Sequence, residues 1–136
     1  MLRPLRMTIA VLSALTLCGC GTDPKDAVRA KVQQFATATA QHDYATICTQ
    51  VLAPALTAHL RATGVSCEQA WALGLGSVKS PTLSVGQTTV KGSTATVIVL
   101  TVAQGQRSSL DAIGLIKTGD GWRIQSLTSQ LPGGSG

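Results

Sequence analysis

Residues 108–128 read "SSLDAIGLIKTGDGWRIQSLT", two β-prone runs flanking Gly119-Asp120-Gly121. Glycine beside aspartate between such runs is hairpin chemistry, because glycine adopts the positive backbone angles that tight turns require. The second run sets Trp122, Ile124 and Ser126 against Arg123, Gln125 and Leu127. That period of two predicts a strand with one face on a core. Upstream, "TLSVGQTTV" (82–90) and "STATVIVLTVAQ" (93–104) are equally rich in β-branched residues, and "KG" and "QGQ" punctuate them. Four strands joined by short turns predict an antiparallel meander.

Before Pro81 the period changes. Asp23, Pro24 and Asp26 are helix-start signals, and Val28, Val32, Phe35, Ala36 and Thr39 follow at three- and four-residue steps. Asp43 is placed to cap a second helix carrying Tyr44, Ile47, Cys48, Val51 and Leu52, which Pro54 breaks or kinks. Its continuation carries Leu56 and Leu60 to Gly64, a natural left-handed cap. Ser66 and Gln69 form a capping-box pattern at a short third helix that begins with Cys67. Three helices followed by four strands predict an α+β domain with its helices on one sheet face.

The front of the chain has another purpose. Arg3 and Arg6 precede an apolar run from Met7 to Leu17, the pattern of a secretory signal. The run is shorter than the roughly 20 residues that span a bilayer. Leu17-Cys18-Gly19-Cys20 resembles the lipobox of bacterial lipoproteins, which implies cleavage after Gly19 and a diacylglyceryl group on the Cys20 sulfur. Two acyl chains suffice for stable anchoring. The expected organisation is therefore residues 1–19 as signal peptide, 20–23 as lipidated cysteine and tether, 24–128 as the domain, and 129–136 as a flexible tail. The expected location is the outer face of a bacterial cytoplasmic membrane, with the bilayer as a partner through Cys20.

Without residues 1–19, nine Lys and Arg against six Asp and Glu leave a charge of +3, scattered singly. Only Phe35, Tyr44, Trp71 and Trp122 bear aromatic rings beyond the signal. A nucleic-acid partner needs a basic stripe or a stacking platform, and neither is present in the sequence. No dinucleotide loop, nucleophile elbow or metal-ligand spacing occurs, so no metal or other cofactor is expected. Cys48 and Cys67 remain besides the anchor, and an oxidising compartment favours a disulfide between them over two free thiols.

The N-terminal helix, the "HDYATIC" entry into the second helix (42–48), the cysteine-led third helix and the closing "GDGWRI" hairpin (119–124) together resemble small secreted lipoproteins with an NTF2-like (SnoaL-like) domain, common in high-GC Gram-positive bacteria. The resemblance implies a strongly curved sheet wrapping the helices into a cone that holds a small apolar ligand or meets a protein partner, and it allows a homodimer through the sheet. The expected role is non-catalytic binding. The alternative is an acid/base enzyme of the ketosteroid isomerase or dehydratase type, for which Tyr44 and Asp111 are the candidate pair. Each has a plainer assignment. Tyr44 packs its ring at a helix base, and Asp111 keeps an edge strand in water. His42 is expected in solvent, His59 at the boundary beside the Leu56 and Leu60 face, and Phe35, Tyr44, Trp71 and Trp122 in a core or lining a pocket.

Overall fold

The computed structural model describes residues 23–130. The expected signal peptide, Cys20, the tether residues before Asp23 and residues 131–136 of the tail lie outside the described residues. Helix α1 spans Pro24–Ala40, and the Asp23 carboxylate caps it by accepting from the Lys25 N–H at 2.9 Å. Helix α2, Tyr44–Thr46, runs directly into a π-helical turn, Ile47–Val51. Helices α3, Pro54–Ala62, and α4, Cys67–Leu75, follow. Both bonds of the Ser66/Gln69 capping box are made. Strands β1 Thr82–Lys91, β2 Thr94–Val102, β3 Ser109–Thr118 and β4 Gly121–Gln130 form an antiparallel sheet in sequence order. The architecture is α+β, with helices on one face of a four-stranded meander.

Three details correct the sequence expectations. The expected second helix is two separate helices, because Leu52 and Ala53 are extended ahead of Pro54, as residues before proline prefer. The Ala53 N–H then donates to the Ile124 carbonyl at 2.7 Å, and Leu52 makes a parallel bridge to the same residue. The last strand continues to Gln130, two residues into the expected tail. And the alternation along β4 inverts part-way: Ile124 pairs with Leu115 and Ser126 with Gly114, leaving Gln125 as a bulge. A bulge adds one residue and flips every side chain beyond it, so Leu127 joins Ile124 on the inner face and Ser126 turns outward.

A second bulge at Gly86-Gln87, opposite Ile98, bends β1. The curved sheet closes on α1 and the π turn around Val28, Val32, Phe35, Ile47, Val51 and Leu52, with Val97, Ile113, Leu115, Trp122 and Ile124 facing them from the strands. Ala36 and Thr39, expected on the buried stripe of α1, are only half-buried. That flank of the helix faces a cavity instead of side chains.

Cations fasten the π turn. The Lys31 ammonium donates to the Gln50 carbonyl at 3.1 Å, and the Arg123 guanidinium to that of Thr49 at 2.9 Å. Carbonyls at a helix C-terminus lack intrahelical donors and carry negative partial charge, so two cations gather there. Partial burial, with the nearby Arg123 charge as a second cause, holds the Lys31 pKa below the ordinary lysine value. Cys48 in the π turn is disulfide-bonded to Cys67 at the start of α4.

Candidate ligand-binding cavity

Between the C-terminal half of α1, the segment after α4 and the concave face of the sheet lies a cavity of about 340 Å³. Phe35, Leu83, Val99, Ala103 and Ile113 supply apolar wall, and Asp111 and Arg107 supply charge. The size falls in the lower part of the range for small-molecule pockets.

Asp111 is placed by register. Cross-strand partners share a face, and β3 pairs Ser109 with Thr101, Asp111 with Val99 and Ile113 with Val97. Asp111 therefore stands in the inward row with Ile113 and Leu115. The expectation of an edge-strand carboxylate in water is corrected: β3 lies between β2 and β4, and Asp111 is half-buried on the cavity wall. Its Oδ2 accepts from the Thr101 hydroxyl at 2.8 Å and the Ser109 hydroxyl at 3.0 Å. Oδ1 takes no hydrogen bond from the described residues. Two donors on one oxygen fix the carboxylate plane and leave the other oxygen for a guest.

Tyr44 and Asp111 are not brought to a common site. The Tyr44 hydroxyl hydrogen-bonds His42 Nδ1 at 3.0 Å, its ring packs against the core, and it is absent from the cavity wall. Asp43 caps α2 through the Thr46 N–H at 3.1 Å and also accepts from the Thr46 hydroxyl at 2.7 Å. These bonds to the charged form, the hydroxyl's first, hold its pKa below the ordinary carboxylate value. His42 and His59 are exposed. Phe35 lines the cavity and meets Trp71 edge-on at 5.6 Å, whereas Trp122 belongs to the core. Among the described residues no three His, Cys, Asp or Glu side chains gather as a metal site would need, and no helix is long and apolar enough to cross a membrane.

Sequence reasoning missed Thr39, Thr101, Arg107, Ser109 and Leu127 as cavity residues. Ser109 had a signal, since residues two apart on a strand share a face. Thr101 had none without the register. Thr39 stands out physically: its Oγ1 is buried and has no hydrogen-bond partner.

No family model matches the sequence, and no curated protein matches it. Solved structures do match its shape. A candidate dehydratase of the NTF2-like family from Streptomyces avermitilis superposes with a TM-score of 0.55 at 16% identity, over 78% of this chain and 94% of that one. An NTF2-like protein of unknown function from Silicibacter pomeroyi gives 0.56 at 16%, over 77% and 92%. The Kfla4162 protein of Kribbella flavida gives 0.57 at 12%, over 79% and 89%. The chain has the NTF2-like fold. At such identities the likeness speaks for architecture, and the cavity of this NTF2-like domain has to be read from its own residues.

Proposed function

We propose that this chain is a lipid-anchored extracytoplasmic binding protein whose cavity takes a small, largely apolar molecule through a hydrogen-bond donor received by Asp111. The observation that carries the reading is the carboxylate on the cavity wall, with Oδ2 held by two hydroxyls and Oδ1 uncommitted. Apolar walls supply transfer free energy of about 25 cal/mol per Å² of guest surface buried. The fixed carboxylate adds orientation, since a hydrogen bond to a charged acceptor contributes about 1.5–3 kcal/mol net.

The lipobox-like residues 17–20 support the anchor. Only Gly21 and Thr22 separate Cys20 from the Asp23 cap of α1, a reach of about 10 Å at most, so the domain stands close to the bilayer. The outward sheet face bears the facing pair Leu100 and Leu110, with Val102 beside them. This exposed apolar strip is where a second copy of the chain or a protein partner would rest.

Acid/base catalysis is the second reading, and the placement of Asp111 inside the cavity favours it. A proton acceptor there has an apolar surround in which a carbonyl substrate would lose water. Tyr44 is not the partner such an enzyme needs, because its hydroxyl is engaged by His42.

Three measurements test these readings, the first two on the full chain carrying Cys20→Ser. Calorimetric titration is expected to show one-to-one binding of 2-naphthol about tenfold tighter than 2-methoxynaphthalene, with the preference abolished by Asp111→Leu; absence of saturable binding by either compound overturns the binding reading. Exchange of the α-protons of 2-tetralone in D₂O that Asp111→Leu eliminates would favour the enzyme. For the anchor, mass spectrometry of the unmodified chain in membranes should find an acylated Cys20 as the first residue, and an unacylated or different N-terminus refutes it.

A further inference from the structure

A second cavity, also about 340 Å³, adjoins the first between α3, α4 and β4. Leu75 and Leu127 belong to the walls of both. Leu127 is 43% exposed although the β4 bulge turns it to the inner face, because it borders open space on each side. The second chamber is apolar, lined by Leu56, Leu60 and Trp71. Two side chains that border the chambers also carry a buried polar atom without a partner, Trp71 Nε1–H and Thr39 Oγ1. Buried polar atoms are nearly always satisfied, and one that is not calls for an explanation. Helix α4, which roofs the second chamber, has no fully buried residue, and Leu73 on it is 81% exposed.

From these features we infer that the two chambers hold one elongated guest, a single-chain lipid with a neutral, hydroxyl-bearing head such as a monoacylglycerol. This rests on the binding reading of the first chamber. The head occupies the chamber of Asp111, where hydroxyl groups donate to Oδ1. The chain passes between Leu75 and Leu127 and lies against Leu56, Leu60 and the Trp71 ring. A fatty-acid carboxylate or phosphate head is disfavoured beside the Asp111 carboxylate; Arg107 on the same wall offsets part of that repulsion, so the comparison with decanoate decides the head. Each chamber has room for about ten waters, too little alone for a lipid and enough together for a head and a medium-length chain.

Gly74 gives a clean test, since it lines the second chamber and a Cβ built there meets nothing within 4 Å. Gly74→Phe therefore has room at its Cβ and sets a ring at the border of that chamber, and it replaces a poor helix former. The full chain with Cys20→Ser is titrated with 1-butyrylglycerol, 1-decanoylglycerol and decanoate. Decanoylglycerol is expected to bind at least tenfold more tightly than butyrylglycerol, and decanoate at least tenfold more weakly than decanoylglycerol. Gly74→Phe should remove the gain from chain length and leave butyrylglycerol unchanged. Butyrylglycerol binding without a gain from the longer chain, or a gain that survives Gly74→Phe, overturns the two-chamber lipid site while the first-chamber reading stands. Decanoate binding as tightly as decanoylglycerol overturns the neutral head. If 2-naphthol and all three lipids fail to bind, the first-chamber reading fails and this one falls with it.

Discussion

Asp43 and Asp111 are carboxylates that each accept two hydrogen bonds, with different consequences. Asp43 is half-buried at the start of α2, away from the cavity wall, where its bonds from Thr46 stabilise the charged form and lower its pKa. In the acid window the unfolded chain binds the proton more readily, so stability rises with pH across it. The stabilisation is present above the ordinary carboxylate value and lost as pH falls through the lowered folded one. Urea unfolding at a series of pH values should show wild type ahead of Asp43→Asn by a constant margin near neutrality, and the margin should vanish in strong acid. Asp111 instead serves the cavity. The bonds from Thr101 and Ser109 aim it, and Thr101→Val with Ser109→Ala is expected to weaken 2-naphthol binding about tenfold in calorimetry with little change in the unfolding midpoint.

At the scale of elements, the two bulges and the disulfide do the shaping. Gly86 sits in the β1 bulge, where a Cβ would lie 2.8 Å from the Ile98 carbonyl oxygen. That neighbour is backbone of the next strand and cannot swing aside. Gly86→Ala is expected to cost about 1–3 kcal/mol in equilibrium unfolding, the usual penalty for overpacking. The Cys48–Cys67 bond closes a loop with a sequence separation of 19 and pins the lightly packed α4 to the π turn. In the chain-entropy view such a loop is worth about 3 kcal/mol. Cys48→Ser with Cys67→Ala should lower the melting temperature by about 10–20 °C, as scanning calorimetry would show.

Across the whole molecule, the cavity is a standing cost to stability. Side chains that would otherwise interlock leave Ala36 and Thr39 half-buried and the Thr39 hydroxyl without a partner. Filling the space should reverse that trade. Ala36→Leu, on the wall beside Phe35, is expected to raise the unfolding free energy by about 1 kcal/mol and to weaken 2-naphthol binding. Stability and function commonly oppose each other in this way at a binding site. Destabilisation together with unchanged binding would show that Ala36 borders packed side chains instead of a usable cavity.

The local signals were sufficient for most of the elements, but not for the π turn or the split of the second helix. Asp23, Asp43 and Ser66 cap the helices that their side-chain chemistry predicts, Gly64 ends α3 in a left-handed conformation, and the turns at Gly92 and at Gly119-Asp120 fall between β1 and β2 and between β3 and β4. Capping, proline and turn preferences act over three or four residues, so they are written in consecutive letters. The meander followed, because short turns leave each strand beside the next. Register and bulges were not written there. Strict alternation turns Leu127 outward, and only the pairing of β3 with β4 reveals the extra residue that brings it in. Asp111 is the clearest case: a carboxylate interrupting an apolar strand suits an exposed edge as well as a cavity wall. The choice depended on two flanking strands and on what α1 left unfilled above them, distances across the fold that no neighbouring letter encodes.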